Sequence, residues 1–530
     1  MAFKSSLYAS DVYNTTCVEN ENGGAAFSNT GDPRVDYFSL VVRGSSSEKI
    51  EQILEQCWIK SPLDTIKLIF NKRDCRQDSE GNGGSGEKEI FLVSMIWLRK
   101  KSYGSFEKNF EHIPFYGSYK DWCRLCEKNN DIKFLAAKHF ANQLENDKIA
   151  RLNGDEVTLA AKYAPSKGCH YDKVCQLPGF VAIELGLGRN WECSYRKVYL
   201  SPLREHIKIV EREMCSRNWE NIDYSSVPSH AMKIYKKAFK KHAPDAFESW
   251  IEQVAEGKSK INSGQLQPHE ISKGYLQSES IWSFSPNVTK YDPVIEEQWN
   301  ALLKKVGSQY NFENAVIIPD FSGSMDGTPL IVAASLGCLV AKLAKPPFDN
   351  LVISFSHEPH FHDLSGCDTL YSCLKSFKDS NFSQGMNTDL YKTFKIMIEK
   401  AQKARVKSSD FPKVMFIVTD MQFDAATAPN NYYGYGAQWQ TGRSDPENNK
   451  PILERVDELF RNSLYERPNI VFWNVRDVDN SAGTINDPKL ALVSGFSTST
   501  FANLLKGKDL TPYSVLRETL DCGRYDRLAV

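Results

Sequence analysis

The sequence predicts a multidomain chain, with an all-α helical-repeat amino-terminal region followed by an α/β doubly wound carboxy-terminal domain. Three observations carry that prediction. Through roughly residues 45–260, apolar side chains recur at three- and four-residue spacing with little of the alternation that marks strands. From residue 314 onward, short runs of β-branched and aromatic residues alternate with helical stretches, the pattern of a parallel sheet covered on both faces. The 530 residues also exceed what one hydrophobic core holds, at ~100–200 residues per domain. Between Ala255 and Pro293 the text turns polar and irregular, which sets the expected boundary: residues 1–290 helical, residues 291–530 α/β.

The helical elements follow from their periodic faces. Ile50, Ile53, Leu54 and Cys57 make one apolar face, and Ile66, Ile69 and Phe70 another. Helices are likewise expected over 89–98, 135–144 and 206–214, with the Gly- and Ser-rich connector 79–87 breaking the series. No fixed period repeats strongly enough to define a solenoid. In the second half the expected order is strand 315–320, helix 329–343, strand 351–356, helix 388–403, strand 413–420, helix 451–464 and strand 469–475. A sheet of this kind binds its ligand at the carboxyl ends of its strands.

Composition narrows the function classes. With 41% hydrophobic and 25% charged residues the chain is ordinary globular material, which excludes disordered, collagen-like and coiled-coil classes. Lys plus Arg number 65 against 66 Asp plus Glu, so no bulk field attracts nucleic acid or membrane. The start has no apolar leader, and no run approaches the ~18 apolar residues of a membrane span. Thirteen scattered cysteines suit a reducing compartment rather than a disulfide framework, so the expected location is cytoplasmic.

The strongest chemical signal stands at the carboxyl ends of the expected strands. Asp320 closes the first and continues as Phe321-Ser322-Gly323-Ser324, a D-x-S-x-S pattern that brings a carboxylate and two hydroxyls to one side. Thr388 opens a later helix, and Asp420 closes the strand KVMFIVTD. Five oxygen donors from three loops suit a hard divalent cation, Mg²⁺ first, with Mn²⁺ or Ca²⁺ possible by the same chemistry. The same D-x-S-x-S residues would also make a capping turn in which Asp320 and Ser322 satisfy amides at a helix start.

These residues resemble a von Willebrand A domain with a metal-ion-dependent adhesion site. The resemblance implies that Asp320, Ser322, Ser324, Thr388 and Asp420 are ion ligands, with an open position for an acidic group of a partner. The helical half also resembles a known module. Residues 20–41, 61–100 and 113–125 are similar to the TROVE module of Ro autoantigen proteins, helical-repeat rings joined to an A domain that bind small structured and misfolded RNAs. Stretches such as AAKYAPSKG (160–168), GQLQPHEI (264–271), DMQFD (420–424) and FWNVR (472–476) bring the chain nearer to an uncharacterised TROVE-like family of plants, fungi and large DNA viruses.

Other features admit two readings. Lys233, Lys236, Lys237, Lys240 and Lys241 fall at i, i+3, i+4, i+7 and i+8 on a helix over 229–242, a stripe able to track phosphates or simply a solvated face. Arg73, Asp74 and Arg76 could touch phosphate or pair internally. Tyr432, Tyr433, Tyr435 and Trp439, in the aperiodic stretch 429–449, read as a recognition loop that stacks bases or anchors an interface. His357, His360 and His362 lack an evident fourth ligand, Cys123 and Cys126 lack a second pair at zinc-ribbon spacing, and Gly81–Gly86 lacks a P-loop lysine. No catalytic arrangement can be built. The leading expectation is a non-enzymatic, RNA-binding ribonucleoprotein component with a divalent-ion site and no membrane partner. The alternative is a protein-interaction scaffold that captures an acidic partner group through that ion.

Overall fold

A computed structural model describes residues 13–277, 287–288, 290–354, 359–380, 390–423, 451–505 and 510–530. The chain forms two compact units. An α/β unit draws on Met1–Asp64, Gln77–Ser85 and Leu266–Gly523. A helical unit draws on Thr65–Arg76, Gly86–Gln265 and Arg524–Val530. The units therefore do not follow a single cut after residue 290, and the reason is burial: segments distant in sequence supply core side chains and hydrogen bonds to each.

In the α/β unit, a short hairpin pairs β1 (Cys17–Glu19) with β2 (Ala25–Phe27), and a second short pair joins β3 (Leu276–Gln277) to β4 (Asn287–Val288). The main sheet contains β5 (Ala315–Pro319), β6 (Leu351–Ile353), β7 (Phe361–Asp363), β8 (Val414–Thr419), β9 (Asn469–Asn474) and β10 (Leu490–Ser494). Their order is β10-β9-β8-β5-β6-β7, and every neighbouring pair is parallel except β6 with β7. The central strands β5 and β8 are buried at every residue, as parallel strands covered on both faces must be, and the edge strand β10 is equally buried. On one face Val316, Ile318, Met415, Ile417, Phe472 and Leu492 pack with Phe394 and Phe460 from flanking helices. On the other, Phe416 and Trp473 meet the ring of Phe501 at 5.2 and 5.1 Å.

The amino-terminal segment belongs to this core. Leu40 lies in the same apolar cluster, the Ser494 hydroxyl donates to the Phe38 carbonyl at 2.6 Å, and the Asn474 amide donates to the Ser39 carbonyl at 3.2 Å. The connector does too: Tyr310 donates to the carbonyl of Gly81 at 2.9 Å and Ser499 to that of Gly84 at 2.7 Å.

The helical unit is built around helices such as Lys88–Lys101, Tyr119–Lys128 and Lys133–Asn153, with Phe70 edge-on to Phe91 and Tyr116, and Phe110 stacked on Trp122. The last residues of the chain complete it. Tyr525 stacks on Tyr116 at 5.5 Å and accepts from Asn71 at 2.9 Å, while Arg524 forks onto buried Asp74. The helix expected over 206–214 is two: Ser201–His206 and Val210–Cys215, broken where Lys208 takes a left-handed conformation at φ 47°. Among the described residues no helix is long and apolar enough to cross a membrane.

Candidate metal centre

Parallel pairing brings the carboxyl ends of β5 and β8 side by side. Pro319 lies opposite Val418, and the Asp320 amide donates to the Val418 carbonyl at 2.9 Å, so Asp320 and Asp420 leave adjacent strands at the same edge. Both carboxylates are 0% exposed. One Asp320 oxygen accepts the Ser322 amide at 2.8 Å and the other accepts the Thr419 hydroxyl at 2.8 Å. The hydroxyls of Ser322 and Ser324 lie 3.1 Å apart, with Ser322 buried and Ser324 exposed. The capping geometry and the convergence of oxygens thus coexist: Asp320 holds the turn and stands beside the hydroxyl pair.

Electrostatics at this edge are unbalanced. Burial, and then the charge of Asp420, push the Asp320 carboxyl up to about 7. Asp420 accepts the Gln422 amide at 3.3 Å and pairs with Arg476 at 3.2 Å. The donor set is two carboxylates and two hydroxyls, all hard oxygens, which fits Mg²⁺, Mn²⁺ or Ca²⁺ and not a soft metal. Thr388 lies outside the described residues, as do Tyr432, Tyr433, Tyr435 and Trp439. Among the described residues no three His, Cys, Asp or Glu side chains converge as a metal cluster, so a centre here depends on hydroxyl donors.

The loop after Asp420 is braced from the far end of the chain. Met421 takes φ 63°, and the turn Asn20–Gly24 packs against the two residues that follow. Asn20 donates to the Phe423 carbonyl at 2.8 Å, Asn22 donates to the Gln422 carbonyl at 2.8 Å, and the Gln422 side chain accepts the Glu21 amide at 2.9 Å. A Cβ on Gly24 would stand 2.3 Å from the Phe423 carbonyl oxygen, so only glycine fits. Sequence reasoning missed Thr419, Gln422, Arg476 and this turn; the two asparagines and two glycines of NENGG were the available signal.

The remaining candidates separate. On the helix Ser229–His242, Lys237, Lys240 and Lys241 are exposed, whereas Lys233 and Lys236 are half-buried, with Met232 and Phe239 in the core. Arg73, Asp74 and Arg76 are spent internally, on Asp121, Arg524 and the carbonyls of Pro114 and Phe115. His360 and His362 turn to different serines, Ser354 and Ser376, each at 2.9 Å, and His357 lies outside the described residues. None of the thirteen cysteines, all among the described residues, forms a disulfide, and Cys123 and Cys126 are buried in their helix.

Comparison with known proteins places this architecture. The family model described as a domain of unknown function, DUF2828, matches residues 20–112 and 118–311, more than half of the chain. The chain belongs to the DUF2828 family. Its match begins at Asn20, the residue that braces the Asp420 loop. A second model, also described as a domain of unknown function, DUF7788, matches residues 314–517, from the entry of β5 to beyond β10. This DUF2828 protein is 27% identical to the uncharacterized protein L728 of Acanthamoeba polyphaga mimivirus over 538 residues, 94% of this chain and 86% of the viral one. A relative in a large DNA virus agrees with that one part of the sequence expectation; both matching models describe domains of unknown function.

Proposed function

We propose that this DUF2828 protein is a non-catalytic binding protein whose α/β unit, similar to a von Willebrand A domain, holds a divalent cation and takes an anionic group from a partner. One observation carries the reading: two fully buried carboxylates, Asp320 and Asp420, leave adjacent parallel strands beside the Ser322 and Ser324 hydroxyls. Buried like charges are costly unless compensated, and burial together with the Asp420 charge pushes the Asp320 carboxyl up. Asp320, Ser322, Ser324 and Asp420 would hold the ion, with Thr388 added by resemblance. When bound, a Mg²⁺ ion supplies a Lewis-acidic position for an acidic partner group. Thr419 holds Asp320 in place, and the Asn20–Gly24 turn braces the chain just beyond Asp420.

The test is Mn²⁺ binding to the full chain, followed by the electron paramagnetic resonance signal of free Mn²⁺. Saturable binding lost in Asp320→Ala and Asp420→Asn is expected. Binding that survives both substitutions, or none at millimolar Mn²⁺, would sink the reading.

A second reading is RNA binding in a cytoplasmic ribonucleoprotein, by similarity to TROVE proteins. The exposed Lys237, Lys240 and Lys241 on one helix favour it, since ammonium groups at that spacing can follow a phosphate backbone. Crosslinking and sequencing of co-purified RNA tests it. RNA retention should fall with salt and in a Lys237→Glu, Lys240→Glu, Lys241→Glu variant, and withstand EDTA. Recovery of no RNA above background would leave the ion-dependent scaffold alone.

A further inference from the structure

Arg476 follows the end of β9, two residues beyond Asn474, and β9 pairs in parallel with β8 so that Asn474 lies opposite Thr419. Its backbone amide donates to the Asn474 side chain at 3.1 Å, and the Val475 amide donates to the Thr419 carbonyl at 3.2 Å, which sets the guanidinium beside Asp420. A single contact of 3.2 Å joins the two charges. The partners are unequal: the Asp420 side chain is 0% exposed and that of Arg476 is 42% exposed.

This pair differs from the protein's structural ion pairs. Arg524 forks onto Asp74 with both side chains nearly buried, and Arg34 forks onto Asp32 through two nitrogens. Those arginines have no cheap alternative. Arg476 does, because solvent already reaches it and only one hydrogen bond would be given up. Its single charge reaches Asp420 alone, while Asp320 is held by the Ser322 amide and the Thr419 hydroxyl.

We propose that Arg476 is a built-in competitor for the ion site: it holds Asp420 while no ion is bound, and it must release that oxygen when a divalent cation takes Asp320, Ser322, Ser324 and Asp420. The inference rests on the reading of those four residues as ion ligands. A guanidinium left beside a divalent cation repels it, and a guanidinium swung into solvent loses its partner. Either way Arg476 lowers ion affinity. In exchange, its five donors are set free at the mouth of the site, where an anionic group would arrive.

The experiment compares Mn²⁺ affinity of the full chain in wild type, Arg476→Gln, Arg476→Lys and Asp420→Asn at fixed ionic strength. Removing a like charge from a partly solvated site should tighten Mn²⁺ binding about tenfold in Arg476→Gln. Arg476→Lys, which keeps the charge, should stay within about threefold of wild type. Unchanged or weaker binding in Arg476→Gln, with wild type binding normally, overturns the competitor role and leaves the ion site standing. Failure of wild type to bind Mn²⁺ overturns both. A second measurement needs no variant: phenylglyoxal labelling of Arg476, read by peptide mass spectrometry, should rise when Mn²⁺ is added. Labelling that stays flat while Mn²⁺ binds also overturns the inference.

Discussion

Asn20 offers a quantitative test of the link between the start of the chain and the Asp420 loop. Its side chain, 7% exposed, makes three hydrogen bonds: the amide donates to the Phe423 carbonyl at 2.8 Å, and the oxygen accepts from the amides of Asn22 at 3.0 Å and Gly24 at 2.8 Å. In Asn20→Ala all three vanish, and the Phe423 carbonyl and Gly24 amide lose buried partners. At ~1 kcal/mol net per bond, with added desolvation for the orphaned groups, the expected loss is about 2–4 kcal/mol. With a urea m-value of ~3 kcal/mol/M, the unfolding midpoint of the α/β unit should fall by about 1 M. Asn20→Asp separates the contributions, because it keeps both acceptor contacts but sets a carboxylate against the Phe423 carbonyl. It should fall by a similar amount, and both variants should weaken Mn²⁺ binding. A midpoint within ~0.2 M of wild type for Asn20→Ala would refute the argument that this turn braces the loop.

Further expectations test the same physics elsewhere. Arg524→Ala strips buried Asp74 of its cation and should cost ~3–5 kcal/mol, whereas Arg517→Ala should cost ~1 kcal/mol or less because Asp64 keeps Arg34; calorimetry of the two variants shows whether the order holds. Lys72 is fully buried, and that burial brings its ammonium down to about 7 against the opposing pull of Glu87. Between pH ~7 and ~10.4 the unfolded chain holds a proton that the folded one lacks, so unfolding free energy should rise with pH across that window. Denaturant titrations of Lys72→Met should show the rise flattened; an equally steep rise would acquit Lys72. Gly81 sits at φ 84° with a Cβ position 2.6 Å from the Tyr310 hydroxyl, so Gly81→Ala should lower the melting temperature, with a loss of ~1–3 kcal/mol.

The ion-ligand candidates were legible because their logic is local. D-x-S-x-S sets three oxygens by turn geometry alone, and an aspartate at the end of an apolar run marks a strand's carboxyl edge wherever that strand lies. Strands β5, β8 and β9 were equally plain, since buried parallel strands write themselves as unbroken apolar runs. Strand β10 was not, although Leu490–Ser494 is just such a run, because its place at the sheet edge follows a long connection from β9. The helix Ser229–His242 follows from its periodicity, but its lysines differ in exposure: Lys237, Lys240 and Lys241 are exposed while Lys233 and Lys236 are half-buried, a difference their spacing does not encode.

Residue order alone carries the two classes of architecture, the strand edges at Asp320 and Asp420, and the oxygen character of the candidate centre. Local periodicity and turn chemistry act over a few residues, and a single sequence displays them directly. Long-range packing is what makes Asn20 brace the loop beyond Asp420, Thr419 hold Asp320, Arg476 pair with Asp420, and residues 524–530 join the helical unit. Those contacts join positions up to about 450 residues apart. Nothing in local propensity encodes them; they arise because buried carboxylates, carbonyls and amides must find partners when the core closes, and the chain supplies those partners from wherever packing brings them.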